Sequence, residues 1–102
     1  MILGDTIPAP TTVTLLYADL VGNGASGDLR FVNQSTVTDY VQVAVTTNYL
    51  SLPSSESFIM YNTPIPPQHT VGIPEISLGV KQGLFVYSMN GTTSFTYIGN
   101  TF

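Results

Sequence analysis

Hydrophobic residues recur at every second position along most of the chain, and not with the period of 3.6 residues that marks an amphipathic helix. The clearest segment carries Val41, Val43 and Val45 on one face, with polar or small residues between them. Segments of this kind are short and rich in Val, Thr, Tyr and Phe, as strands are. The pattern therefore predicts β-strands throughout and almost no helix.

Six further strands are predicted from the same alternation, at 11–17, 29–33, 57–61, 70–78, 84–88 and 95–99. In the first of them, Val13, Leu15 and Tyr17 form an apolar face that we expect to be buried. Pro74 lacks an N–H group, so its strand should lie at a sheet edge or contain a bulge. Asn90-Gly91 is the strongest hairpin signal in the chain.

About seven to eight short strands joined by turns predict one all-β domain, an antiparallel β-sandwich or a jelly-roll-like barrel. We assign residues 11–102 to this domain, since 102 residues suit a single compact unit. Residues 1–10 are predicted to form an extended N-terminal arm. The arm carries Ile2, Leu3, Ile7 and Pro8, and a segment this apolar should lie against another surface.

Charged residues make up 8% of the chain, and six acids against two bases give a formal net charge of −4. Two cations cannot neutralise several phosphates, so neither nucleic acid nor an anionic membrane is an expected partner. No apolar run is long enough to cross a bilayer. Sheet edges are normally guarded by charge, and this chain has few charges with which to do so. We therefore expect other subunits to cover its edges, as in a homo-oligomer.

The residues that could carry chemistry do not assemble into a known catalytic pattern. His69 follows two prolines in a loop, and no nucleophile-elbow motif occurs. Asp19, Asn23 and Asp28 are too few for a calcium loop, and the glycines among them lack the lysine of a phosphate-binding loop. With no cysteine, thiolate chemistry is impossible. We predict no enzyme activity, no cofactor and no metal site.

A second candidate contact surface lies between the third and fourth predicted strands. Tyr49, Leu50, Leu52 and Pro53 are bulky and apolar in a segment that should be a loop. Such a cluster is typical of an intermolecular contact, although it can also fold back as a lid over the end of the domain. We predict that this loop and the residues Ile2, Leu3, Ile7 and Pro8 form the interface.

The succession of strand segments resembles small structural proteins of tailed bacteriophages, especially those of marine cyanobacteria. The resemblance rests on the segments 11–17, 29–35, 41–45, 58–65 and 76–87. It implies a non-enzymatic virion component, which is often repeated or trimeric. The favoured role is a capsid decoration (cement) protein that binds the major capsid protein, and a neck, tail or fibre position is the close alternative.

A different class of function is also consistent with these residues. Six tyrosines and several asparagines suit a carbohydrate-binding module, because aromatic faces stack on sugar rings while amides bond to hydroxyl groups. The chain has no tryptophan, which weakens this signal, and tyrosines on strands more often lie in cores or interfaces.

Overall fold

A computed structural model describes residues 1–102 as eight antiparallel strands with no helix, which confirms the all-β prediction. It accordingly contains no helix long and apolar enough to span a membrane. The strands are β1 (Ile2–Thr6), β2 (Thr14–Ala18), β3 (Ala25–Asn33), β4 (Asp39–Thr46), β5 (Phe58–Ile65), β6 (Thr70–Leu78), β7 (Gly83–Ser88) and β8 (Thr93–Thr101).

The strands form two four-stranded sheets, in the orders β1-β8-β3-β6 and β2-β7-β4-β5. Four of the pairs join the first strand to the last, the second to the seventh, the third to the sixth and the fourth to the fifth. The chain thus behaves as one long antiparallel ribbon. Two further pairs, β3 with β8 and β4 with β7, link the ribbon to itself and complete the sheets.

One hydrophobic core draws on both sheets, in a sandwich-like arrangement. The first sheet contributes Phe31, Phe95 and Tyr97, and the second contributes alternate residues of β4 and β7. The twelve buried members are Ala25, Leu29, Phe31, Val41, Val43, Ile65, Ile76, Leu78, Leu84, Val86, Phe95 and Tyr97. Burying a large apolar side chain contributes about 1.5–3 kcal/mol, so this cluster is the main stabilising element.

Strand β2 departs from its predicted alternation. Val13 lies outside the strand, and Leu15 is 40% exposed. The register against β7 shifts between Leu15 and Tyr17, so that Leu16 and Tyr17 both pack on the core. A β-bulge of this kind adds one residue to a strand and places two neighbours on the same side. The expected burial is therefore right for Tyr17 and wrong for Val13 and Leu15.

The N-terminal segment is a strand of the sheet and not a separate arm. Residues Ile2–Thr6 pair with β8 along the edge of the first sheet. Leu3 packs against the core. A Cβ on Gly4 would lie 2.5 Å from the Leu16 carbonyl oxygen, so only glycine allows β1 to approach β2 this closely. Part of the apolar character of residues 1–10 is therefore satisfied within the chain itself.

The turn signals are confirmed as turns, but one of them joins different partners from those expected. Gly91 adopts a φ of 70°, a conformation that glycine allows without strain. However, β7 and β8 lie in different sheets, so this turn crosses between sheets and does not close a hairpin. Pro74 lies on the edge strand β6 beside a shift in register, in agreement with its predicted position.

A buried carboxylate organises one end of the molecule, which we call the Asp39 end (loops 34–38, 66–69 and 89–92). Asp39 is fully buried and accepts hydrogen bonds from the Ser88 hydroxyl, the Thr93 hydroxyl at 2.6 Å, and the backbone N–H groups of Tyr40 and Asn90, both at 2.9 Å. Burial alone raises the pKa of this carboxyl. The hydrogen bonds outweigh burial, so the pKa of Asp39 is lowered from 3.8.

Asn33 extends this network to the neighbouring loops. Its Nδ2 donates to the carbonyl oxygens of Val37 at 2.8 Å and Ile65 at 3.0 Å. Its Oδ1 accepts from the Ser35 N–H at 3.1 Å and the Thr92 hydroxyl at 3.0 Å. One buried amide therefore ties together three loops that are distant in sequence.

We expect Asp39→Asn to destabilise the fold by about 2–4 kcal/mol, because its amide NH₂ would replace an acceptor that faces hydrogen-bond donors. The Ser88 hydroxyl already accepts the N–H of Thr92 at 3.1 Å, so its own proton is directed to the carboxylate. Urea unfolding at about pH 7 measures this loss.

The pH dependence supplies a second readout. Because the folded-state pKa of Asp39 is lowered, its contribution is complete above the unfolded-state pKa near 4 and is lost as the pH falls through the folded-state value. The Asp39→Asn variant should lack this acid-dependent part. Asp5→Asn, at an exposed acid on β1, is the matched control and should behave as the unsubstituted chain does. An identical loss of stability in acid for all three proteins would contradict the assignment.

Candidate functional site

Seven large apolar side chains are exposed at the end of the molecule opposite Asp39. We call this surface the apolar end, and it consists of Met1, Leu20, Val21, Leu50, Leu52, Val80 and Phe102. Val21 is 97% exposed, and the least exposed member, Leu20, is 46% exposed. The surface is formed by the loops 19–24, 47–57 and 79–82 together with the first and last residues.

Asp19 fixes the first of these loops. Its carboxylate accepts the N–H groups of Gly22 at 3.0 Å and Gly24 at 2.9 Å, and the residue is only 8% exposed. Gly24 has a φ of 108°, a conformation that other residues rarely adopt. These bonds close the loop with Leu20 and Val21 on its outside, so the loop itself keeps both side chains exposed.

Backbone hydrogen bonds join the loops of the apolar end to one another. The Lys81 N–H donates to the Asp19 carbonyl oxygen at 2.8 Å, and the Tyr49 N–H donates to the Lys81 carbonyl oxygen at 2.8 Å. Backbone hydrogen bonds also hold the two terminal residues. The Phe102 N–H donates to the Gly24 carbonyl oxygen at 2.9 Å, and the Gly99 N–H donates to the Met1 carbonyl oxygen at 2.9 Å. The loops and terminal residues that carry the seven side chains are therefore tied to the fold and to one another through their backbones.

The 47–57 loop divides into an inner and an outer part. Tyr49 and Pro53 are half-buried, while Leu50 and Leu52 are 76% and 74% exposed. The Asn48 side chain accepts the Leu50 N–H at 2.9 Å, which fixes the turn at the tip. The half-burial of Tyr49 agrees with a lid, and the exposure of the two leucines agrees with a contact surface.

The eight residues predicted as the interface do not lie together. Leu50 and Leu52 belong to the apolar end. Ile2 is exposed on β1, and Leu3 is half-buried against the core. Ile7 is exposed and Pro8 is buried, and both lie beyond the other end of β1.

Five members of the apolar end were missed by sequence reasoning: Met1, Leu20, Val21, Val80 and Phe102. Leu20 and Val21 precede a glycine-rich loop that the sequence presents as merely flexible. The usable signal was two adjacent aliphatic residues between Asp19 and Gly22, because a loop normally places polar residues there.

The other residues considered for catalysis or metal binding make local structural contacts. His69 is exposed, and its Nδ1 lies 3.0 Å from the Pro67 carbonyl oxygen. Asp28 Oδ1 accepts the Glu75 N–H at 3.1 Å, where it supports the bulge in β6. No group of three or more His, Cys, Asp or Glu residues is placed to hold a metal ion.

Exposed apolar side chains gathered at one end of the molecule favour association, since exposed apolar surface marks contact sites on soluble proteins. Each leucine or valine that becomes fully buried contributes about 1.5–3 kcal/mol before the cost of ordering is subtracted. The only side-chain cation in its loops is Lys81.

Comparison with known proteins gives no relative for this chain: no family model, no curated protein and no solved structure matches it.

We expect Asp19→Ala to loosen the 19–24 loop, because it leaves the Gly22 and Gly24 N–H groups without their acceptor, at a cost of about 1–3 kcal/mol. Hydrogen exchange should show faster exchange of these two amides. Asp19→Asn is the matched control, since its carbonyl oxygen retains one acceptor and should preserve part of the protection. Unchanged exchange in the alanine variant would refute this role.

Proposed function

We propose that this chain is a non-enzymatic structural protein of a bacteriophage virion, a capsid decoration protein that binds between major capsid subunits through its apolar end. The observation that carries the proposal is the set of seven exposed apolar side chains on hydrogen-bonded loops. A surface that is rigid before binding loses little conformational entropy when it attaches, which favours stable association.

The strand pairing supports a more specific fold assignment, a jelly roll. An eight-stranded antiparallel ribbon that pairs its two halves and then wraps on itself gives the strand orders β1-β8-β3-β6 and β2-β7-β4-β5. Viral capsid domains and lectin domains both use the jelly roll. A fold hosts many functions, so a jelly roll agrees with a capsid role without identifying it. The apolar end is the feature that supports that role.

The low charge of the chain suits a protein that is present in many copies on a particle. Eight charged side chains in 102 residues create little repulsion between neighbouring copies. Attachment at several points multiplies a modest affinity for each site.

The edge strands support self-association, and we propose a homotrimer. Strands β2 and β5 lie at the two edges of the second sheet, and neither contains a charged residue. Leu15 on β2 and Ile59 on β5 are 40% and 49% exposed. Edges of this composition are prone to pair with a second chain unless something covers them.

We expect the double substitution Leu50→Ser and Leu52→Ser to abolish most binding to capsids that lack this protein, measured by co-sedimentation. Both side chains are exposed, so the free energy of unfolding should change by less than about 0.5 kcal/mol. Val37→Ser, at a comparably exposed side chain of the Asp39 end, is the control and should bind normally. Full capsid occupancy by the double variant would remove the apolar end from the proposal.

Light scattering of the purified chain at micromolar concentration should report a trimer. A lysine on the β2 edge should oppose pairing, so Leu15→Lys is expected to shift the protein toward monomer while its circular dichroism spectrum still reports a folded β-sheet protein. A monodisperse monomer for the unsubstituted chain would contradict self-association.

A further inference from the structure

The outer face of the sheet β2-β7-β4-β5 carries two adjacent hollows. The first has a volume of about 530 Å³ and is lined by Tyr40, Gln42, Tyr61, Asn62, Tyr87 and Met89. The second, of about 570 Å³, shares Gln42 and Tyr61 and is completed by Phe58 and residues 53–55. Both volumes fall within the range of small-molecule sites, roughly 300–1,000 Å³. We call this surface the tyrosine face.

The alternation of β4 and a bulge in β5 create this face. Val41 and Val43 point into the core, so Tyr40 and Gln42 point outward. The register between β4 and β5 shifts opposite Gln42, where Tyr61 and Asn62 occupy the place of one residue. Asn62 has a φ of 46°, so the backbone is turned at this point. Bulges re-aim side chains in this way and are common next to functional sites.

Contacts within the chain fix the shared residues before any ligand binds. The rings of Phe58 and Tyr61 meet edge to face with centroids 4.8 Å apart, although Tyr61 is 61% exposed. Gln42 Nε2 donates to Asn62 Oδ1 at 2.8 Å. This bond sets the orientation of both amides and leaves Gln42 Oε1 and Asn62 Nδ2 as an acceptor and a donor for a ligand.

We propose that the tyrosine face binds a neutral oligosaccharide, with successive sugar units in the two hollows and Tyr61 between them. The face joins exposed aromatic rings, which stack on the apolar side of a sugar ring, to fixed amides, which bond to its hydroxyl groups. This site is separate from the apolar end and does not depend on attachment to a capsid.

Charge selects the class of sugar. The residues that line the two hollows include no acidic or basic side chain, so nothing in them compensates a sulfate, phosphate or carboxylate group. The net charge of −4 further opposes an anionic ligand. Two hollows side by side fit a chain of linked sugars better than a single sugar.

The test is binding of the purified full chain to an array that carries neutral and acidic glycans. We expect signals from neutral glycans of two or more units, and a titration followed by NMR should then place the shifted resonances at Tyr61, Gln42 and Asn62. A silent array, signals confined to acidic glycans, or resonance shifts elsewhere would each overturn the proposal.

Variants make the test specific to this face. Tyr61→Ala should weaken binding at least about tenfold, which is the loss typical of a truncated aromatic anchor. Gln42→Glu should also weaken binding, because it places a charge between the two hollows. Phe102→Ala removes an exposed aromatic side chain of the apolar end and is the matched control, with no change expected.

The outcomes also separate this inference from the proposed function. The variant with Leu50→Ser and Leu52→Ser should keep its glycan binding, and Tyr61→Ala should keep its binding to capsids. Thermal unfolding of each variant confirms that the fold is retained. Equal glycan binding by Tyr61→Ala and the unsubstituted chain would refute the site even if the array gave signals.

Discussion

The contact between the two sheets is the interaction on which the rest of the structure depends. Phe31 and Phe95, on the neighbouring strands β3 and β8 of the first sheet, pack with ring centroids 5.2 Å apart, and Tyr97 of that sheet reaches Tyr17 of the second sheet at 5.7 Å. The Tyr97 hydroxyl donates to the Ile76 carbonyl oxygen at 2.6 Å, and burial raises its pKa to about 12. Because the chain has no disulfide and few charged residues, this packing must hold together the sheets from which the loops described above extend.

The alternation of apolar and polar residues was sufficient to predict much of the fold, because burial on one face imposes a period of two on a strand. Val41 and Val43 are fully buried as that period requires, and Pro74 lies on an edge strand beside a bulge. The errors have a common cause. The bulge in β2 and the pairing of β1 with β8 arise from tertiary contacts, Leu16 against the core and Gly4 against β2, that leave no periodic mark in the sequence.

The candidate surfaces were harder to predict than the strands. The apolar end combines five separate parts of the chain, so no single window of sequence shows it, and only Leu50 and Leu52 stood out as bulky loop residues. The tyrosine face depends on Asn62, whose positive φ follows from a bulge and not from the residue type alone. The composition predicted that such surfaces exist, but only the strand topology shows where they lie.

The order of the strands has a consequence for how the domain folds. β8 is an inner strand of its sheet, bonded to β1 on one side and to β3 on the other, and it is the last of the eight strands in chain order. The first sheet therefore cannot be completed until all eight strands have been synthesised, and β1 has no partner strand until then. Folding should be slow for a domain of this size, as expected when most pairings join distant parts of a chain. While strands remain unpaired, the chain is most vulnerable to aggregation.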